Sequence, residues 1–223
     1  MAAFLYPVAL DVGGRRCVVV GGGAVGARKA RALAEAGASV TVVAPEACDD
    51  LRALAEAGSV VHLAAPFTPE LLERDTFLVV AATDKPEVNS LVVRIAREKR
   101  VLVNQAAPGD DGEESAGGGG DFATMAAVRR GDLLLALTTG GAGPALTARL
   151  RRQMESSFGP EWADYVSLLA EMRVEAKRRL AAAEPASRVA ALRRLASCDA
   201  VRERLAAGDA EGAREEARAC LFT

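Results

Sequence analysis

Short, wholly apolar runs alternate with longer stretches in which apolar residues recur every three or four positions through the first hundred residues. The run "CVVV" predicts a buried strand over Cys17–Val20. "AVGARKARALAEAGA" has helical spacing, with Val25, Ala30, Leu33 and Ala34 on one face and Gly37 as a C-cap. "SVTVVAP" predicts a second strand ended by Pro45, "EACDDLRALAEAG" a second helix, and "VVHLAAPF" a third strand in the core. "TPELLERD" predicts a short helix with Thr68 as N-cap and Pro69 at its first position. "TFLVVAATD", "KPEVNSLVVRIAREKR" and "VLVNQA" continue the pattern as strand, helix and strand. Strands that are apolar on both faces and alternate with helices predict an α/β fold, a doubly wound parallel sheet covered on both sides.

The pattern breaks at Pro108. "PGDDGEESAGGGGD" is acidic and glycine-rich, has nothing to bury, and reads as a solvated loop over 109–120. "FATMAAVRRGDLLLALTTGG" then predicts two strands around the turn "RRGD", and "GPALTARLRRQMESSFG" a helix with Pro144 near its start. The tail from Trp162 reads as helical, with Trp162, Val166, Leu169 and Met172 on one face and two more short helices after Glu184. It reads as a lid or dimer support.

Composition narrows the classes. The 223 residues are half hydrophobic, carry a formal net charge of −2 and contain four cysteines and one histidine. That charge gives no basic excess for a nucleic-acid backbone. Cys17, Cys48, Cys198 and Cys220 lack CxxC or Cys/His spacing, so no metal site is expected, and scattered cysteines fit the reducing cytoplasm. His62 falls on a predicted core strand and reads as a structural histidine. No apolar run approaches the ~20 residues of a membrane helix.

The chemistry concentrates in "VVVGGGAVGARKA". Gly21, Gly23 and Gly26 form G-x-G-x-x-G between a strand and a helix. The first glycine allows the tight turn, the second lets backbone approach a pyrophosphate, and the third lets helix and strand pack closely. A ribose-binding carboxylate is expected about 20 residues on. Glu46 stands there, with Asp49 and Asp50 one turn into the helix and no arginine to take a 2′-phosphate, which favours NAD, with Glu46 or backbone groups handling the ribose.

Five pieces in order, "LYPVALDVGGRRCVVVGGGAVGARKARALAEAGASVTVVAP", "VVAATDKPEVN", "VLVNQA", "DF" and "RRGDLLLALTTGGAGPALTARLRRQME", closely resemble the precorrin-2 dehydrogenase family, including the dehydrogenase module of siroheme synthases. The resemblance implies a cytoplasmic homodimer. It would have a Rossmann-type NAD-binding domain over 1–113, a small α+β dimerisation domain over 114–155 whose strands exchange between subunits, and a helical C-terminal region over 156–223. It implies NAD-dependent oxidation of precorrin-2 to sirohydrochlorin, with Fe²⁺ insertion in some members. No methyltransferase module follows Thr223, so methylation is not expected of this polypeptide.

Carried over residue by residue, Gly21, Gly23, Ala24, Val25 and Gly26 would hold the pyrophosphate. Ala44 and Pro45 would lie near the adenosine, and Thr83, Asp84 and Asn104 near the nicotinamide. Asp84 also reads as an N-cap. Arg28, Lys29 and Arg149, with Arg129, Arg130, Arg151 and Arg152, would supply cations for the substrate carboxylates. The family's usual acid–base aspartate falls at Ala107, and Met125 and Gly143 replace a proline and a serine of its motifs. Asp84, Asp110, Asp111 and Asp121 are the replacement candidates; water as acceptor, or lost activity, are the alternatives. The rival functions are a catalytically impaired NAD- or tetrapyrrole-binding relative, a bifunctional dehydrogenase/ferrochelatase, and another Rossmann oxidoreductase. No catalytic His, Lys or Tyr set supports the last.

Overall fold

A computed structural model describes residues 6–106, 119–181 and 184–222. The chain forms two compact units, Met1–Ala126 with Thr138–Thr147, and Ala127–Leu137 with Ala148–Thr223.

The first unit contains β1 (Arg16–Val20), α1 (Ala24–Glu35), β2 (Ser39–Val43), α2 (Asp49–Glu56), β3 (Val61–Leu63), β4 (Thr76–Ala81), α3 (Pro86–Lys99) and β5 (Leu102–Gln105). Its five strands are parallel in the order β3-β2-β1-β4-β5. The continuous apolar runs have the predicted cause. Val18 and Val20 enter one core cluster with Val79, Val92 and Val103, while Cys17 and Val19 enter the other with Ala27, Ala30 and Val42. Both faces of β1 are therefore dry. Val20 sits level with Val43 and Ala81, so β1, β2 and β4 end together. The strand order reverses at β1, and ligands of such sheets bind at that point, beyond the carboxyl ends.

The two sheet edges differ from expectation. β3 is an exposed edge rather than a core strand, with Val61 at 65% and Leu63 at 37% exposure. His62 is held there by a 2.9 Å hydrogen bond between Nε2 and the Ala44 carbonyl, a structural role. The other edge, β5, is covered. The Asp121 N–H donates to Val103 O at 2.7 Å, the Val103 N–H donates to Asp121 Oδ2 at 3.2 Å, and Asn104 Nδ2 donates to Phe122 O at 2.9 Å. These bonds use up donors that would otherwise recruit another strand. The helix expected over "TPELLERD" is a single 3₁₀ turn, Pro69–Leu71, and Thr68 precedes it without a side-chain cap. The Lys99 ammonium takes the carbonyls of Pro69 and Leu72, which removes acceptors from a longer helix.

The second unit contains most of a hairpin, β6 (Ala126–Arg130) and β7 (Leu133–Leu137), turned at Gly131 with φ +55°. α4 (Pro144–Ser157) begins in the first unit. α5 (Glu161–Arg179), α6 (Pro185–Ala196), α7 (Asp199–Ala206) and α8 (Ala210–Phe222) follow, so three helices rather than two lie beyond Glu184. Gly208, at φ +80°, separates the last pair. The buried stripe of α5 is Tyr165, Leu168, Met172 and Ala176, flanked by Trp162 and Leu169. It is rotated from the face expected, because Tyr165 seats its hydroxyl against the Leu195 and Ala196 carbonyls.

Candidate functional site

The glycine run lies where the sheet reverses. Its glycines do different work. Gly21 adopts φ +127°, and a Cβ there would stand 2.3 Å from Ala82 O. A Cβ on Gly26 would stand 2.0 Å from Gly21 O, and one on Gly22 2.0 Å from Glu46 O. These three positions are dictated by the protein's own packing. Gly23 is not: its extended backbone (φ −80°) suits any residue, and a Cβ would meet nothing within 4 Å. Gly23 is also the N-cap of α1, with no side-chain cap and no acidic residue in the first turn. The helix thus presents uncapped N–H groups and its positive dipole end toward open space, which is what a pyrophosphate needs. The G-x-G-x-x-G spacing does not call for glycine at 22; the unbroken run of three glycines is the signal in the sequence for it.

Beyond β4, the turn at Thr83 is held by a residue outside the expected set. Asn89, buried in α3, accepts from the Thr83 N–H at 3.1 Å and from Thr83 Oγ1 at 2.8 Å, and donates Nδ2 to Thr83 O at 2.9 Å. Thr83 Oγ1 also accepts from the Lys85 N–H. The N-cap position of α3 belongs to Lys85, not Asp84. Asp84 is exposed, next to the turn that Gly21 abuts, and makes no hydrogen bond or ion pair with the described residues. Asn104 is fully buried at the end of β5, and its Oδ1 has no donor among the described residues. Leaving a buried acceptor unpaired costs about 1–3 kcal/mol, so it marks a place where a donor fits.

The other candidate acids separate. Asp121 is committed to the β5 edge, and its Oδ1 lies 3.5 Å from Arg97 Nε. Ala107, Asp110 and Asp111 lie outside the described residues. Ala44 is buried at the end of β2, and Pro45 and Glu46 are exposed beyond it. An arginine does stand near this strand end: Arg52 in α2 bonds the Ala47 carbonyl and pairs with Asp49.

The candidate cations also divide. Lys29 is only 6% exposed and donates Nζ to Thr124 Oγ1 at 2.5 Å, tying α1 to the segment beyond β5. Arg28 is half-buried in the same unit, whereas Arg149 is exposed and belongs to the second. Arg130 donates to Phe158 O, and Arg151 pairs with Glu155 at 2.6 Å, so both are engaged in structure. The "TTGG" motif forms a polar turn. Thr139 Oγ1 lies 3.0 Å from Oγ1 of buried Thr147 and accepts from the Gly143 N–H at 3.1 Å.

Comparison with known proteins fits this geometry. Residues 8–114 match a family model described as putative NAD(P)-binding, and residues 130–157 match one described as the sirohaem biosynthesis protein central domain. A solved structure titled "SirC, precorrin-2 dehydrogenase" superposes with a TM-score of 0.62 at 32% identity, covering 78% of this chain and 81% of that one. The chain belongs to the precorrin-2 dehydrogenase family. Among curated proteins of that family, a siroheme synthase of Xylella fastidiosa is 34% identical over 89% of this chain and 43% of its own length. Siroheme synthase 3 of Aeromonas hydrophila is 35% identical over 94% of this chain and 42% of its own. The chain therefore spans less than half the length of the curated relatives it matches. The family match includes the glycine turn, the Thr83 turn and the "TTGG" segment.

Proposed function

We propose that this protein oxidises precorrin-2 to sirohydrochlorin with NAD⁺, in siroheme biosynthesis. The observation that carries the proposal is Gly23, the one motif glycine whose missing side chain no internal contact explains. Gly21, Gly23, Ala24, Val25 and Gly26 would hold the pyrophosphate through backbone N–H groups. Ala44 and Pro45 would flank the adenosine, with Glu46 toward the ribose. Thr83, fixed by Asn89, and Asn104, through an Oδ1 that has no donor among the described residues, would orient the nicotinamide end.

Bound NAD⁺ would accept a hydride from the macrocycle, giving NADH, while a proton leaves to complete the two-electron oxidation. The chain's part is to position the macrocycle and take that proton. Asp84 is the described candidate acid best suited, being unengaged and beside the nucleotide turn. Asp110 and Asp111 are further candidates and Asp121 a weaker one, because its carboxylate already serves β5. Arg28 would meet substrate carboxylates beside the glycine turn, and Arg149, in the second unit, is a separate candidate for the same role. Lys29 would do so only by leaving Thr124.

We read residues 1–113 as the NAD-binding domain, 114–155 as a dimerisation domain and 156–223 as a helical domain, in a cytoplasmic homodimer. Support for the dimer comes from β7, "LLLAL", in which no residue is buried. A strand apolar on every position is built to be covered on both faces. No helix among the described residues is long and apolar enough to cross a membrane.

The test is anaerobic incubation of the protein with precorrin-2 and NAD⁺, following the sirohydrochlorin spectrum and NADH together. Equal yields of both, faster than without protein, are expected. No acceleration over spontaneous oxidation, with NAD⁺ binding intact, would favour a cofactor-binding relative without turnover. For the dimer, sedimentation of wild type and Leu134→Arg should give two copies and one; a monomeric wild type would end that part of the reading.

A further inference from the structure

The second unit brings together three donors that lie far apart in sequence. Cys198 sits at the N-cap position of α7. Glu216 and Cys220 lie one turn apart on α8 and face it. One carboxylate oxygen and the two sulfurs lie within 4.8 Å of one another, each side chain half-buried. A tetrahedral zinc ion with Zn–S near 2.3 Å and Zn–O near 2.1 Å spaces its donors about 3.4–3.8 Å apart. The cluster is thus within a small contraction of coordination distance. The i,i+4 spacing places two donors on one ridge of α8, on the flank of its buried stripe Ala213, Ala217 and Leu221.

We propose that Cys198, Glu216 and Cys220 bind a thiophilic divalent cation of the zinc class, through two thiolate sulfurs and one carboxylate oxygen. A surface cavity lined by Arg194, Glu216, Ala219 and Cys220 opens beside these donors and leaves room for a water as the fourth ligand. On binding, each thiol gives a proton to solvent and the cation gives up water ligands; no electron moves. Two thiolates and a carboxylate leave a net charge of −1 around a divalent ion. Two arginines offset it: Arg204 Nε is 3.8 Å from Glu216 Oε2, and Arg194 donates to the Cys220 and Leu221 carbonyls at 3.4 Å. Arg204 has a second partner in Asp209 at 2.9 Å, so Glu216 can turn to the metal without stranding it. The cation clips the α6–α7 junction to α8. Spacing along the sequence argued against a metal site here; the fold supplies the convergence that the spacing lacks.

The experiment uses the full chain, purified anaerobically, reduced with a phosphine, stripped of metal and titrated with Co²⁺ alone. One equivalent should give thiolate-to-cobalt charge-transfer absorption, and one equivalent of Zn²⁺ should abolish it. Cys198→Ser and Cys220→Ser should each remove most of that absorption, and Glu216→Gln should weaken binding by about tenfold or more. Cys48→Ser should leave the signal unchanged. X-ray absorption of zinc-loaded wild type, which needs no variant to fold, should show two sulfurs at about 2.3 Å. A shell of oxygen and nitrogen alone, no charge-transfer band, or a band that survives both serine variants would overturn the proposal. A Cys198–Cys220 disulfide in protein kept anaerobic from lysis onward would overturn it too, because the thiolates would be committed elsewhere.

Discussion

At the scale of single residues, the glycine turn separates folding from binding. Gly23→Ala adds a methyl into open space and should cost no more than the ~1 kcal/mol by which an N-cap prefers glycine to alanine, while NAD⁺ affinity falls about tenfold or more, about 1.4 kcal/mol. Gly26→Ala drives a methyl onto the Gly21 carbonyl and should cost about 1–3 kcal/mol of stability. Calorimetry on both variants checks the contrast, and a Gly23→Ala loss as large as that of Gly26→Ala would remove the ligand argument. The two aspartates divide in the same way. Asp84→Asn should lower kcat by about 10²–10⁴-fold without changing stability. Asp121→Asn should leave the rate intact and cost about 0.5–1.5 kcal/mol, because an amide keeps only one of the carboxylate's two acceptor contacts, to the Val103 N–H and to Arg97 Nε. Parallel rate and denaturation measurements decide; if Asp84→Asn keeps the full rate, the acceptor lies elsewhere. What the sequence could show at this scale was local chemistry: glycine spacing, a strand end, an exposed acid. It could not show that Lys29 turns inward to Thr124, or that Asp121 closes a sheet edge, because both depend on partners remote in the chain.

At the scale of elements, the periodicities were sufficient wherever one element packs on both sides or on one continuous face. β1, β2, β4 and α3 fall where the apolar runs placed them. They were insufficient where a neighbour decides the outcome. "VVHLAAPF" is apolar enough for a core strand, yet β3 is the last strand of its sheet and keeps one flank in solvent. The rotated face of α5 follows from the tyrosine hydroxyl's need for acceptors on α6, which no pattern within α5 encodes. The C-terminus of α3 retains a cost that can be relieved. Arg100 caps the helix at φ +58°, the only non-glycine residue with positive φ among those described. That conformation disfavours residues with a Cβ. Arg100→Gly should stabilise the protein by about 0.5–1 kcal/mol, measured as a shift in urea midpoint at constant slope. A loss of stability would mean that the arginine side chain contributes more than its backbone costs.

At the scale of the whole molecule, the cysteines connect packing to solution behaviour. Burial pushes the Cys17 thiol from 9.0 up to about 11. Below about pH 9 both folded and unfolded chains keep that proton, and the full stability is present. Between 9 and 11 the unfolded chain releases it while the folded chain holds it, so stability falls as pH rises. The loss should be on the order of 2 kcal/mol across that window, and Cys17→Val should flatten that part of a stability–pH profile. An unchanged profile would show that another group titrates there. The same burial makes Cys17 a clock for opening. A bulky thiol reagent at pH 8 can reach it only when the central strand of the first unit comes free, whereas half-buried Cys48 in that unit and Cys198 and Cys220 in the second need smaller fluctuations. Labelling followed by mass spectrometry should therefore resolve a slow class from faster ones. With NAD⁺ present, the half-time of the slow class should lengthen by the factor 1 + [NAD⁺]/Kd, turning one silent core residue into a meter of cofactor binding in unpurified extracts.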